Sequence, residues 1–144
     1  MRIRIALGVL ALVSLSSFAA PAQVRLGLGG DYVLDDDGLF MLTLAVEGRF
    51  ARRAAVEARF GGLVTTTSSP TAGVPLDVGL RFVPGGRAYL EALIGPWIFF
   101  RGDAVRGHGE FGFGLESRGF SFGLAVGVLT SANATIGARL GWRL

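Results

Sequence analysis

The sequence has no cysteine, no lysine and one histidine, and only 17% of its residues are charged. Without cysteine there is no thiolate catalysis and no Cys-based metal site. Without lysine all fourteen basic residues are arginines, which stay charged in a confined space and grip carboxylates with two hydrogen bonds. An ordinary soluble domain carries about 25% charged residues. A deficit this size, beside 51% hydrophobic residues, requires an explanation. Long apolar runs are scarce too. The run from Ile5 to Val13 falls short of the roughly 20 residues a spanning helix needs.

That run has its own meaning. It follows the basic start Met1-Arg2-Ile3-Arg4 and precedes Ser14, Ser16, Ser17 and the small residues Ala20-Pro21-Ala22. This is the layout of a secretory signal peptide, so residues 1–22 are expected to be cleaved after Ala22 and 23–144 to form one exported domain. Removing Arg2 and Arg4 leaves twelve arginines against eleven acids, a net charge of +1. The pI near 10.5 therefore reflects arginine chemistry and not a basic binding patch. No basic cluster with interleaved aromatics points to nucleic acid.

Beyond Ala22 the dominant signal is a two-residue alternation, which in a strand sorts side chains to opposite faces. Eight strands are expected: Val24–Leu34, Leu39–Phe50, Ala54–Val64, Leu76–Val83, Ala88 to about Phe100, Glu110–Glu116, one opening at Phe120, and one ending the chain at Leu144. Turn chemistry separates them, as at Asp35-Asp36-Asp37-Gly38, Ala51-Arg52-Arg53, Pro84-Gly85-Gly86 and Ser117-Arg118-Gly119. The segments Thr65–Pro75 and Arg101–Gly109 read as longer loops, and Gly95-Pro96 as a bulge or strand end.

Thirteen charged residues fall within these strands, all on one phase. They are the acids Asp31, Glu47, Glu57, Asp77, Glu91, Glu110 and Glu116, and the arginines Arg25, Arg49, Arg59, Arg81, Arg139 and Arg143. The opposite phase is Leu, Val, Ile, Ala and aromatics. An even number of antiparallel strands of about 10 alternating residues is the signature of an outer-membrane barrel. The fold class expected is therefore all-β: an eight-stranded antiparallel transmembrane up-and-down barrel, apolar side to lipid, with an Arg/Glu/Asp network filling the lumen. With both termini periplasmic, the turns at 51–53, 84–86 and 117–119 face the periplasm. Aromatics gather near the strand ends: Tyr32, Phe40, Trp97, Phe99 and Phe111 on the outer side, Phe50, Phe82, Phe120 and Trp142 on the periplasmic side. The main alternative, a soluble sheet with the apolar face inward, would expose a glycine-rich surface poorly suited to water.

At its C-terminal strand, Thr135-Ile136-Gly137-Ala138-Arg139-Leu140-Gly141-Trp142, the chain resembles the small eight-stranded outer-membrane proteins that include the OmpA transmembrane domain and the OmpX/Ail type. The architectural resemblance covers the whole of residues 23–144. It implies that Thr135, Gly137, Leu140, Trp142 and Leu144 form an insertion signal read by the barrel-assembly machinery, although the chain ends in Leu144 where the family usually ends in an aromatic. It implies outer-membrane lipid or lipopolysaccharide as surroundings and no biochemical activity.

Candidate chemistry is sparse. His108, flanked by glycines, reads as a loop residue, with Ser117 and Ser121 about one strand length away, out of reach for a Ser–His pair. Lipid A-modifying enzymes share the eight-stranded architecture, but their Ser/His patterns are not visible. Asp35-Asp36-Asp37 lacks the other ligands of a calcium loop and reads as a solvated turn. Gly29-Gly30 and Gly85-Gly86 precede no helix and form no phosphate loop. No catalytic residue, cofactor or metal is expected. A structural or surface-interaction role is expected, with a lipid A-modifying enzyme, a narrow pore or a soluble periplasmic protein as alternatives.

Overall fold

A computed structural model describes residues 21–34, 38–102, 104–130 and 133–144. The signal segment expected at 1–22, apart from Pro21 and Ala22, lies outside the described residues, as does Asp35-Asp36-Asp37. Eight strands follow in order: β1 (Gln23–Val33), β2 (Gly38–Ala51), β3 (Ala54–Thr65), β4 (Ala72–Gly85), β5 (Ala88–Phe99), β6 (Val105–Ser117), β7 (Phe120–Leu129) and β8 (Asn133–Arg143). Each pairs antiparallel with its sequence neighbours, and β8 pairs with β1, so the sheet closes into a barrel without edges.

The register fixes the shape. Val24, Val46, Ala58, Val78, Ile94, Gly109, Val128 and Ala134 are successive partners around the wall. The Leu34 N–H then donates to the Ala134 carbonyl at 2.9 Å, so the path re-enters the first strand's line ten residues along, from 24 to 34. That stagger tilts the strands, by roughly 35–45° in such barrels. Every member of this girdle is apolar or glycine and points outward. Ile94 is 68% exposed and Phe40, higher on the same surface, 63%. Among the described residues no charged strand residue falls in the outward phase; Arg106, drawn into the lengthened β6, keeps to the inner one.

Two strands run longer than their sequence pattern. β4 begins at Ala72, taking in Gly73, Val74 and Pro75, which reduces the Thr65–Pro75 loop to residues 66–71. β6 begins at Val105, so most of the expected Arg101–Gly109 loop is strand. β5 passes through Gly95-Pro96 without ending. The β4–β5 ladder has a gap between Pro75↔Trp97 and Val78↔Ile94, where Pro96 has no N–H to give, yet Pro96 still faces Gly107 across β6.

At one end the three connections are two residues each: Arg52-Arg53, Gly86-Arg87 and Arg118-Gly119. Both Arg118 (φ 47°) and Gly119 (φ 87°) are left-handed, the pattern of a type I′ hairpin turn. An arginine there costs roughly 1 kcal/mol relative to glycine. The connections at the other end are longer, the same end at which β1 finishes and β8 begins.

Candidate functional site

The lumen buries ten charged side chains and His108, and its organisation follows from two neighbouring choices in the sequence: a charged residue on one strand and a glycine beside it. Glu91 is the cross-strand partner of Gly112, and Asp31 of Gly137. A Cβ at either glycine would come within 2.8 Å of the acid's side-chain carbon. The glycines are the space in which the carboxylates lie.

Ion pairs link these side chains into one alternating run. Arg139 donates to Asp31 (2.6 and 3.0 Å) and pairs with Glu110. Arg59 joins Glu110 (3.0 Å) to Glu91 (2.9 Å) and holds Glu57 at 3.2 Å. Arg81 bridges Glu91 (2.7 Å) and Glu116 (2.9 Å), and Arg143 completes the run on Glu116. The acid–base chain thus reads Asp31, Arg139, Glu110, Arg59, Glu91, Arg81, Glu116, Arg143. Arg25 and Glu47 form a separate pair beside it. The Arg81 guanidinium also lies 3.7 Å from the centre of the Tyr89 ring, a cation–π contact. Glu57 is 0% exposed, and Arg59 makes its only direct ion pair among the described residues.

Of the thirteen charged positions read from the sequence, Arg25, Asp31, Glu47, Glu57, Arg59, Asp77, Arg81, Glu91, Glu110 and Arg139 are buried in the lumen. Glu116 is half-buried, while Arg49 and Arg143 stand exposed at the short-turn mouth. On β8, Thr135 is buried inward and Trp142 meets Phe120 edge-on at 5.6 Å; Leu144, just past the strand, is exposed.

Three features depart from the sequence reading. His108 is not a loop residue: it is buried on β6, its Nδ1 3.0 Å from Asp77 Oδ1 and its ring stacked 4.0 Å from Trp97. Trp97 and Phe99 are not lipid-facing belt aromatics. Alternation continues through Pro96, so both share the inward phase of Glu91 and point into the barrel, at 1% and 6% exposure. The Trp97 indole N–H donates to Asp77 at 3.1 and 3.2 Å. With Val33, Leu39, Met41, Leu63 and Leu129 they form an apolar plug at the long-loop end. A gap of about 20 Å³ lies beside the charged run and one of about 30 Å³ beside the plug, each near the size of one water.

The third departure is at the short-turn mouth, where a vestibule of about 790 Å³ opens. Arg49, Arg52, Arg53, Arg87, Arg118 and Arg143 line it. These arginines do form a basic patch, contrary to the reading of the pI. They are scattered in sequence, and only closure of the barrel gathers three turns around one opening.

His108 and Ser121 are far apart. Ser121 partners Glu116, eight residues down β6 from His108 and about 26 Å away at 3.3 Å per residue. Among the described residues no group of three or more His, Asp or Glu side chains is arranged to hold a metal ion.

No family model matches the chain, and no curated protein matches it. Solved structures do. The N-terminal β-barrel domain of Pseudomonas aeruginosa OprF aligns with a TM-score of 0.66 at 12% identity, covering 85% of this chain and 97% of that one. The Yersinia pestis outer membrane protein Ail, in a phospholipid nanodisc, aligns with a TM-score of 0.57 at 12% identity, covering 86% and 100%. A de novo designed transmembrane β-barrel aligns with a TM-score of 0.63 at 8% identity, covering 87% and 98%. The fold is that of the small eight-stranded transmembrane barrels.

Proposed function

We propose that this chain is an exported, non-enzymatic protein of the bacterial outer membrane whose barrel is a sealed structural body that presents its longer loops to the outside. The observation that carries this reading is the pairing of a charge-free outward girdle with a lumen closed twice, by the ion-pair run and by the apolar plug. A charged side chain on the lipid face would cost roughly 2–4 kcal/mol at the midplane, which gives a physical reason for the girdle's composition. The gaps beside the ion-pair run and the plug, about 20 and 30 Å³, are each near the size of one water, which supports a closed lumen. In this reading residues 1–22 are removed on export, the short-turn mouth faces the periplasm, and the C-terminal strand through Trp142 and Leu144 is read by the assembly machinery. The surroundings are outer-membrane lipid and lipopolysaccharide.

Two measurements test it. Unboiled protein should migrate differently from boiled protein on an SDS gel and leave the membrane only in detergent; release into plain buffer would refute the membrane assignment. Planar bilayers carrying wild type, Glu57→Ala or Arg139→Ala should stay silent. Discrete conductance steps in the wild type would refute the sealed lumen, and lipid A altered in mass on expression would refute the non-enzymatic role.

A further inference from the structure

We infer that the short-turn vestibule is a binding site for phosphate-bearing anions. Its two acids are already engaged, Glu47 by Arg25 and Glu116 by Arg81 and Arg143. Among the described residues no acid pairs with Arg49, Arg52, Arg53, Arg87 or Arg118. Five uncompensated guanidinium groups therefore face one concavity of about 790 Å³.

Like charges gathered this way repel one another, and a bound polyanion relieves that repulsion. Concave walls of one sign also focus the field and concentrate counter-ions. Arginine forks match the geometry of phosphate oxygens. The volume suits several phosphate groups and far exceeds a single small ion. Arg118 reaches the same rim from the left-handed position of its hairpin turn, at a φ of 47°, where asparagine or glycine would sit at ease.

The same chemistry is offered by a soluble polyphosphate and by a diphosphate lipid headgroup at the membrane surface, and two arms separate them. The full barrel is placed in phosphatidylcholine nanodiscs and titrated calorimetrically with inorganic tripolyphosphate at low salt. Saturable binding is expected, weakened at least about tenfold in Arg52→Gln/Arg53→Gln/Arg87→Gln and unchanged in Arg101→Gln at the opposite end. Heat-modifiable migration checks that the triple variant is folded. Arg118→Gly removes one rim charge at a site that favours glycine, and is expected to bind about threefold more weakly without loss of fold.

In the second arm the discs contain cardiolipin. If the headgroup is the occupant, tripolyphosphate binding falls and cardiolipin stays with wild type, but not the triple variant, through detergent exchange. If the occupant is soluble, tripolyphosphate affinity is the same in both discs. Equal affinity of wild type, triple variant and Arg118→Gly, or no saturable binding of either probe by wild type, overturns the site.

Discussion

Replacing Arg59 by Met should be the most damaging single change in the lumen. Arg59 touches three carboxylates, Glu57, Glu91 and Glu110, at 2.9–3.2 Å. At an effective dielectric of about 20 each contact carries roughly 4 kcal/mol of attraction, much of it offset by the several kcal/mol needed to desolvate each ion. What decides the outcome is what remains. Glu91 keeps Arg81 and Glu110 keeps Arg139, but buried Glu57 loses its one direct ion pair among the described residues. Orphaning a buried charge costs about 3–5 kcal/mol. Urea unfolding in phosphatidylcholine vesicles, followed by tryptophan fluorescence, should show a loss of that size. Adding Glu57→Gln should recover most of it, because the orphaned charge is gone, and the double-mutant cycle should give a coupling of at least about 2 kcal/mol. A loss below about 1 kcal/mol, or no recovery in the double variant, would refute the view that Arg59 is the hub of the run.

Other consequences are simpler. Gly137→Ala drives a methyl group to 2.8 Å from the Asp31 carboxyl carbon and should cost about 1–3 kcal/mol, whereas Gly62→Ala, which meets nothing within 4 Å, should be near neutral in the same unfolding assay. Val78→Arg sets a cation in the girdle and should destabilise by about 2–4 kcal/mol in vesicles, an effect absent for Val78→Leu. Trp97→Phe preserves a ring in the plug but deprives Asp77 of an N–H donor, and should cost about 1.5–3 kcal/mol by urea titration.

How far the sequence led is clearest where it went astray. Alternation placed all thirteen strand charges on one phase without knowledge of a partner, because the pleat itself sorts them. It faltered where the outward phase held glycine or proline in place of Leu or Val. Gly107 and Gly109 flank His108 and made a buried strand residue resemble a loop. Pro96 suggested a strand end, so Trp97 and Phe99 were given to the lipid belt when they fill the plug. Near the long-loop end both phases are apolar, as in Leu39-Phe40-Met41-Leu42, and no contrast marks which side is inside. Ion partners such as Arg59 and Glu110, 51 residues apart, depend on register and closure, which periodicity does not encode. The rim arginines were visible one by one in three turns; their convergence required the ring.

The direction in which the apolar phase points can be measured directly, since a chain without cysteine accepts single-cysteine spin labels with no background. Along β7, labels at Phe122, Leu124, Val126 and Val128 should collide readily with lipid-dissolved oxygen in vesicles, while labels at Ser121 and Ala125 should be shielded. A two-residue period of that sign establishes lipid outside and charge inside. A period of the opposite sign, or no period at all, contradicts it.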